Sequence, residues 1–249
     1  MLKLGTLALG VIPRIAVPVT DRTSPGSIQD ARKRGLDIAE IRIDRFERQD
    51  PAYVLEIVRR FRGLPTIATI RSKSEGGDWG GSEDERIAIL KAVLPEVDAI
   101  DIELGSLAIV DDAVRSAHAL GKPAILSFHD FGGTPEPAVL DGVVERAKSK
   151  GADIVKVATL ASSRRDLGVL ANLTVKHAEK NVIVLGMGSE GVVTRLLYPA
   201  LGSLITFASL EEETAPGQLP LDLMLRLMRL IHPSFDAARN RETAPPGKP

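Results

Sequence analysis

The period of hydrophobic and polar positions changes repeatedly along the chain. Short runs rich in β-branched residues alternate with longer stretches in which apolar residues recur at helical spacing. The runs are RIAVPV from Arg14, IAEIRID from Ile38, TIATIR from Thr66, AIDIEL from Ala99, PAILSFHD from Pro123, DIVKVAT from Asp153, NVIVLGMG from Asn181 and SLITFAS from Ser203. Helical patterns such as DERIAILKAVL and AVLDGVVERAKSK follow them, with Pro135 near one predicted start and Gly121 and Gly151 after two predicted ends. A succession of βα units without a linker predicts an α/β fold, a (β/α)8 TIM barrel, with a doubly wound open sheet as the other architecture. The opening MLKLGTLALGVI is broken by Gly5 and Gly10 and lacks a small-residue cleavage site, so it reads as a short N-terminal hairpin or cap rather than an export signal. The polar, proline-rich ARNRETAPPGKP predicts a disordered tail over 236–249, leaving 1–235 as one barrel domain.

Composition narrows the partners. Of 249 residues 44% are hydrophobic, and 32 basic against 33 acidic side chains give a formal charge of −1, so no global excess draws the chain to nucleic acid or an anionic membrane. No apolar run reaches the roughly 18 residues of a membrane span. One Trp, two Tyr and six Phe make base-stacking platforms a poor expectation. Cysteine is absent, which removes disulfides, thiolate metal sites and cysteine nucleophiles and agrees with a cytoplasmic location.

In a barrel, chemistry belongs at the C-terminal ends of the strands, and polar residues gather there. In IAEIRID, alternation puts Glu40, Arg42 and Asp44 on one face and Ile41 and Ile43 on the other. Those three charges can form a structural ion-pair layer or a working site; the guanidinium between the carboxylates argues against a metal. Arg71 closes its strand, Asp101 and Glu103 share a face, and His129 ends another. A histidine at a strand end is, by itself, more often a structural hydrogen-bonding residue than a base; His118, His177 and His232 fall on helical stretches and read as surface or capping residues. Lys156 is more telling, because it interrupts the apolar run Ile154, Val155, Val157 and Ala158, where an ammonium is rare unless paired or functional. A lysine there suits imine formation with a carbonyl, its amine freed by desolvation or by a nearby cation such as Arg71 or a protonated His129. An imidazole beside it suits removal of a proton from the carbon next to a ketone.

A rival signal is the G-x-G-x-x-G of Gly186, Gly188 and Gly191, with Glu211 or Glu212 at the distance of a ribose contact. It opens the seventh unit, with too little chain after it for a dinucleotide-binding sheet. A phosphate clamp on backbone amides is the next possibility, and Arg195 four residues beyond Gly191 suits a carboxylate equally.

Together EIRIDRF, TIRSKSEGG, DIEL, SFHDF followed by TP, ADIVKVAT, GMGSEGVVTR and APGQLPLDLM resemble the type I 3-dehydroquinate dehydratase family in order and spacing, from about Arg14 to His232. The resemblance implies a (β/α)8 barrel, commonly a homodimer. It implies conversion of the small molecule 3-dehydroquinate to 3-dehydroshikimate and water in the shikimate pathway, with no metal and no cofactor. By the same resemblance Lys156 forms the imine, His129 is the general base and Glu75 orients and charge-balances it. Glu40 and Arg42 contact substrate hydroxyls, Arg71 is a binding-site arginine, and Arg195 with Gln218 bind the substrate carboxylate. Where the family commonly has Ser before APGQ, this chain has Thr214, which keeps the hydroxyl and adds a methyl group. The segment EEETAPGQ is expected to close over substrate as a lid. An imine-forming aldolase on the same barrel, whose substrates are commonly phosphorylated, and a nicotinamide-dependent oxidoreductase are the other readings.

Overall fold

The computed structural model describes residues 1–210, 215–232, 235–236 and 239. A two-residue hairpin, β1 (Lys3–Leu4) with β2 (Leu7–Ala8), precedes the repeating units. The units are β3 (Arg14–Val19) and α1 (Pro25–Arg34), β4 (Ile38–Arg42) and α2 (Pro51–Arg59), β5 (Thr66–Thr69) and α3 (Glu83–Val93), and β6 (Ala99–Glu103) and α4 (Val110–Ala119). Then follow β7 (Ala124–Asp130) and α5 (Pro137–Ser149), β8 (Ile154–Leu160) and α6 (Arg164–Lys176), and β9 (Val182–Met187) with the single turns α7 (Gly188–Gly191) and α8 (Thr194–Leu197). Strand β10 (Ile205–Ser209), the short β11 (Leu219–Pro220) and α9 (Leu221–Ile231) complete the described elements.

Strands β3 to β9 each pair in parallel with the next in sequence, and β10 pairs in parallel with β3. The circle meets again where the Leu204 amide donates to the Val182 carbonyl at 2.9 Å and the Val184 amide to Ser203 Oγ at 3.0 Å. The eight predicted strands are these eight, and the fold is the (β/α)8 barrel rather than an open sheet. Helix starts carry their signals: Asp50 accepts from the Tyr53 amide, Ser163 from Asp166, and Ser82 forms a reciprocal capping box with Glu85. Helix α5 starts at Pro137, two residues beyond the predicted start near Pro135.

Two apolar layers follow from strand alternation. Outward residues such as Ile41, Val157 and Val184 pack under the helices. Inward residues at the N-terminal ends, Ile38, Ile67, Ile125, Ile154, Ile183 and Ile205, fill the barrel, with Leu4 and Leu9 of the hairpin sealing its floor. Arg14 donates from Nε and Nη2 to the Ala8 carbonyl, which fixes the hairpin there. Arg239 donates to the Gly35 carbonyl at 2.8 Å on the same end of the barrel. Higher along the strands the inward positions turn polar, so the floor holds the stability and the mouth collects charge.

Candidate active site

Residue Glu40 comes from β4, Asp101 and Glu103 from β6, Ser127 and His129 from β7, and Lys156 from β8; all reach the interior because each occupies an inward position of its strand. Lys156 is 5% exposed and sits between two carboxylates, donating to Glu40 Oε1 at 3.0 Å and Asp101 Oδ2 at 2.9 Å. Its Nζ also stands 4.5 Å from the centre of the Phe207 ring. Thr69 Oγ1 donates to the same Glu40 oxygen at 3.2 Å.

Arg71 is fully enclosed and fastens the opposite side. Its Nη2 donates to Asp101 Oδ1 at 2.7 Å, and its Nη1 to Glu103 Oε1 at 3.0 Å and Ser127 Oγ at 2.6 Å. Burial alone would lower the Arg71 pKa, but Asp101, Glu103 and Glu40 overcome it and hold the guanidinium charged. Burial would likewise raise Asp101, yet Arg71 and Lys156 keep its carboxyl well below the usual range. Glu103 extends the network to Arg86 of α3, which bonds its Oε2, with Ser106 Oγ on the same oxygen at 3.0 Å. An uncompensated charge in such a network costs about 3–5 kcal/mol, so each member fixes its neighbours.

His129 stands beside this network. Its Nδ1 lies 2.9 Å from Glu75 Oε2, and its backbone amide donates to the same oxygen at 2.9 Å. Burial, reinforced by Arg71 and Lys156, drives the imidazole pKa well below 6.5. It is therefore neutral at pH 7, which corrects the expectation of a protonated His129 acting as a cation toward Lys156. Burial also pushes Glu75 up to about 7, with Arg71 opposing and Glu103 adding to it.

Arg42 donates bidentately to Asp44, at 3.0 and 2.7 Å. Asp44 lies not on the strand but in a single helical turn, Ile43–Arg45, so its pairing with Arg42 arises from the turn rather than from strand alternation. On the far side of the mouth Arg195 donates from Nε to the Gly217 carbonyl at 2.8 Å and from Nη2 to the Pro216 carbonyl at 3.2 Å. Gly217 has φ +79°, and a Cβ there would meet the Gly188 carbonyl oxygen at 2.6 Å, so this turn requires glycine. Strand β11 pairs with the end of β10, which brings Gln218 to the mouth. Thr214 and Glu211 to Glu213 lie outside the described residues.

These groups share one cavity, lined among others by Glu40, Arg42, Arg71, Glu75, His129 and Lys156. Arg195 and Gln218 line its opposite wall, with Met187, Leu185 and Phe207 as the apolar part. The structure thus brings together each candidate it describes. Sequence reasoning missed Ser127, Phe207 and Arg86. The first two occupy inward positions and are visible from alternation once the strands are fixed; nothing in the helical pattern around Arg86 distinguishes it.

The glycine motif has another role here. A Cβ on Gly191 would lie 2.4 Å from the Gly186 carbonyl carbon, so the pair permits close approach of strand and turn. The Gly188 amide donates to the Pro216 carbonyl at 3.3 Å and is taken up in that turn. His177 and His232 are buried C-caps of α6 and α9 rather than surface residues, His177 bonding Asp141 at 2.7 Å. His118 bonds Asp153 at 2.8 Å on the outside.

The family profile of type I 3-dehydroquinase matches residues 15–234. A 3-dehydroquinate dehydratase from Methanococcoides burtonii is 34% identical over 235 residues, covering 93% of this chain and all of that protein. One from Methanothermobacter thermautotrophicus is 37% identical over 224 residues, covering 88% and 98%. Among solved structures, the 3-dehydroquinate dehydratase of Geobacillus kaustophilus superposes with a TM-score of 0.87 at 29% identity, covering 93% and 96% of the two chains. The type I enzyme of Clostridium difficile, solved with covalent modified comenic acid, gives 0.85 at 28% identity, covering 93% and 97%.

Proposed function

The chain belongs to the type I 3-dehydroquinase family, and from that premise we propose that Lys156, His129 and Glu75 carry out its reaction. That reaction is the dehydration of 3-dehydroquinate to 3-dehydroshikimate in the shikimate pathway, the work of a carbon–oxygen lyase.

In this reading the substrate ketone enters beside Lys156 Nζ. The amine gives up a proton as it attacks, the carbonyl oxygen leaves as water, and the resulting imine accepts electrons from the neighbouring carbon. Asp101, held ionised by Arg71, keeps its negative charge beside the nitrogen, while Glu40 at 3.0 Å is the other carboxylate in reach of the departing proton. A neutral imidazole whose Nδ1–H is accepted by ionised Glu75 leaves Nε2 free as the base. His129 takes the proton from the carbon next to the imine, returns one to the leaving hydroxyl, and water then hydrolyses the product imine. Glu40 and Arg42 face the substrate hydroxyls, Arg71 holds the carboxylates in place, Arg195 with Gln218 receives the substrate carboxylate, and Thr214 is a further substrate-binding residue.

The observation that carries this reading is the buried Lys156 amine in the same cavity as a neutral, Glu75-oriented imidazole. The test is to add 3-dehydroquinate, follow the conjugated enone by ultraviolet absorbance, and repeat with borohydride. A mass adduct on Lys156 supports the assignment; turnover without one removes it.

The proposal extends to residues 1–235 as one catalytic unit with 236–249 as an appended tail, a cytoplasmic location and a homodimer. Val193, Leu197 and Leu201 are partly exposed apolar residues in the segment between β9 and β10, and a second copy would cover such a surface. Sedimentation at micromolar concentration separates dimer from monomer.

A further inference from the structure

Arg86 is wholly buried although it belongs to an outer helix. It directly follows the capping box of Ser82 and Glu85, near the N-terminus of α3, where the helix dipole disfavours a cation. Its Nη1 donates to Glu83 Oε1 at 3.2 Å and to Ser106 Oγ at 3.0 Å, and its Nη2 bonds Glu103 Oε2. Its Nε is buried with no hydrogen-bond partner among the described residues. Neither the helix nor the apolar layer around it gains from such a group. Glu83 is partly exposed, so the buried anion that answers Arg86 is Glu103.

Glu103 supports both arms of the site from its other oxygen. Oε1 accepts from Arg71 Nη1 at 3.0 Å, and Arg71 holds Asp101, which meets Lys156 at 2.9 Å. The same Oε1 accepts the Ser72 amide at 2.9 Å. The Ser72 carbonyl then receives the amides of Glu75 and Gly77 at 3.1 and 2.9 Å, which closes the single turn Lys73–Glu75 that carries Glu75 to His129. By occupying Oε2, Arg86 keeps Oε1 turned toward both arms, yet it does not line the substrate cavity.

Charge leads to the same residue. Glu40, Lys156, Asp101, Arg71, Glu103 and Arg86 form one buried chain of ion pairs in which three anions alternate with three cations, and Arg86 ends it. Removing that end leaves one anion in excess. Glu75 has no lysine or arginine bonded to it among the described residues, and it is faced by Arg71 of β5, Asp101 and Glu103 of β6 and His129 of β7. Glu83 of α3 borders the hollow beside it, and Lys73 of its own turn lies toward Gly80. Among these neighbours Arg71 favours the ionised carboxylate, whereas Glu103 and Asp101 oppose it.

We propose that Arg86 is a positioning residue of the dehydration, which neutralises and fixes Glu103 so that Arg71 serves Asp101 and the turn of Glu75 is held against His129. The proposal rests on Glu75 orienting His129 as the base. Without the guanidinium, Glu103 keeps its bonds to Arg71 and the Ser72 amide and stays ionised, so its charge bears on Glu75 with less compensation.

The experiment records pH profiles of kcat and kcat/KM for 3-dehydroquinate in the wild type, Arg86→Met and Arg86→Lys, with folding followed by circular dichroism. Arg86→Met is expected to raise the acid limb of kcat/KM by at least about half a pH unit. It should also lower plateau kcat by about tenfold or more with KM within about threefold of wild type, because Arg86 does not touch substrate. Arg86→Lys keeps the charge and is expected to hold the limb within about 0.2 pH unit of wild type even if it melts earlier. A folded Arg86→Met enzyme whose limb stays in place overturns the proposal, as does a limb displaced equally in the Met and Lys variants, which marks a packing role. Should Arg86→Met not fold, Glu103→Gln decides: it leaves the guanidinium as the surplus charge and is expected to lower the limb by at least about half a pH unit, and an unmoved limb overturns the proposal. Failure of the underlying reading looks different, since the acid limb would then persist in Glu75→Gln.

Discussion

At the scale of the residue, the pair of Glu75 and His129 acts as a tautomer switch. With Glu75 ionised, its Oε2 accepts the Nδ1 proton and Nε2 keeps a lone pair. With Glu75 protonated, the carboxyl donates to Nδ1 instead, the ring proton moves to Nε2, and the base is lost. Because burial pushes Glu75 up to about 7, kcat/KM is expected to fall tenfold per pH unit on the acid side of about pH 7. A limb near pH 4.5 would show that Glu75 titrates as an exposed carboxylate. The same shift acts on stability with a definite sign. The folded chain keeps a proton that the unfolded chain releases near pH 4.5, so the contribution is full below that value and is lost as pH rises through about 7. At about 1.36 kcal/mol per unit this amounts to roughly 3 kcal/mol. Glu75→Gln is therefore expected to raise Tm at pH 8 by roughly 5 °C while lowering kcat by at least about a hundredfold, readable by calorimetry and the enone assay. Lys156→Ala should lose both borohydride adduct and turnover. His129→Ala should still be trapped by borohydride while dehydration falls by several orders of magnitude, roughly 10³ or more.

At the scale of the element, what the sequence made visible were runs and their faces. All eight barrel strands show as β-branched runs, and alternation alone places Glu40, Asp101, His129 and Lys156 on inward faces. What escaped was set by contacts distant in sequence. Arg86 lies on a helix, and only the fold brings it to Glu103. Asp44 continues the alternation on paper, but the chain has already left the strand. The glycine motif misleads for the same reason, since a ligand-facing turn and a tightly packed one demand the same lack of a side chain. Gly191→Ala is expected to cost about 2–3 kcal/mol by forcing backbone apart, measured as a fall in the denaturant midpoint. Arg195→Ala should mainly raise KM for 3-dehydroquinate, by about tenfold or more; an unchanged KM and kcat would assign the arginine to holding the turn at Gly217 and Pro216.

At the scale of the whole molecule, floor and mouth divide the labour. The floor is sealed by Leu4, Leu9 and the inward isoleucines, and none of them touches the polar network's cavity. Leu4→Ala should therefore destabilise the fold by about 2–5 kcal/mol in urea unfolding and leave kcat within twofold at a temperature where the variant stays folded. A large loss of kcat with little loss of stability would show that floor packing sets mouth geometry.

The bond from Lys156 to Glu40 joins the sixth barrel strand to the second, 116 residues apart. Neutrality at the centre is consequently a property of the completed circle and not of any arc. A nascent chain carries Glu40 long before Lys156, its ion-pair partner in the closed barrel, has been made, whereas Asp101 already has Arg71 beside it. A gene divided before β8 would yield a fragment that depends on its other part for electrical compensation as much as for missing strands.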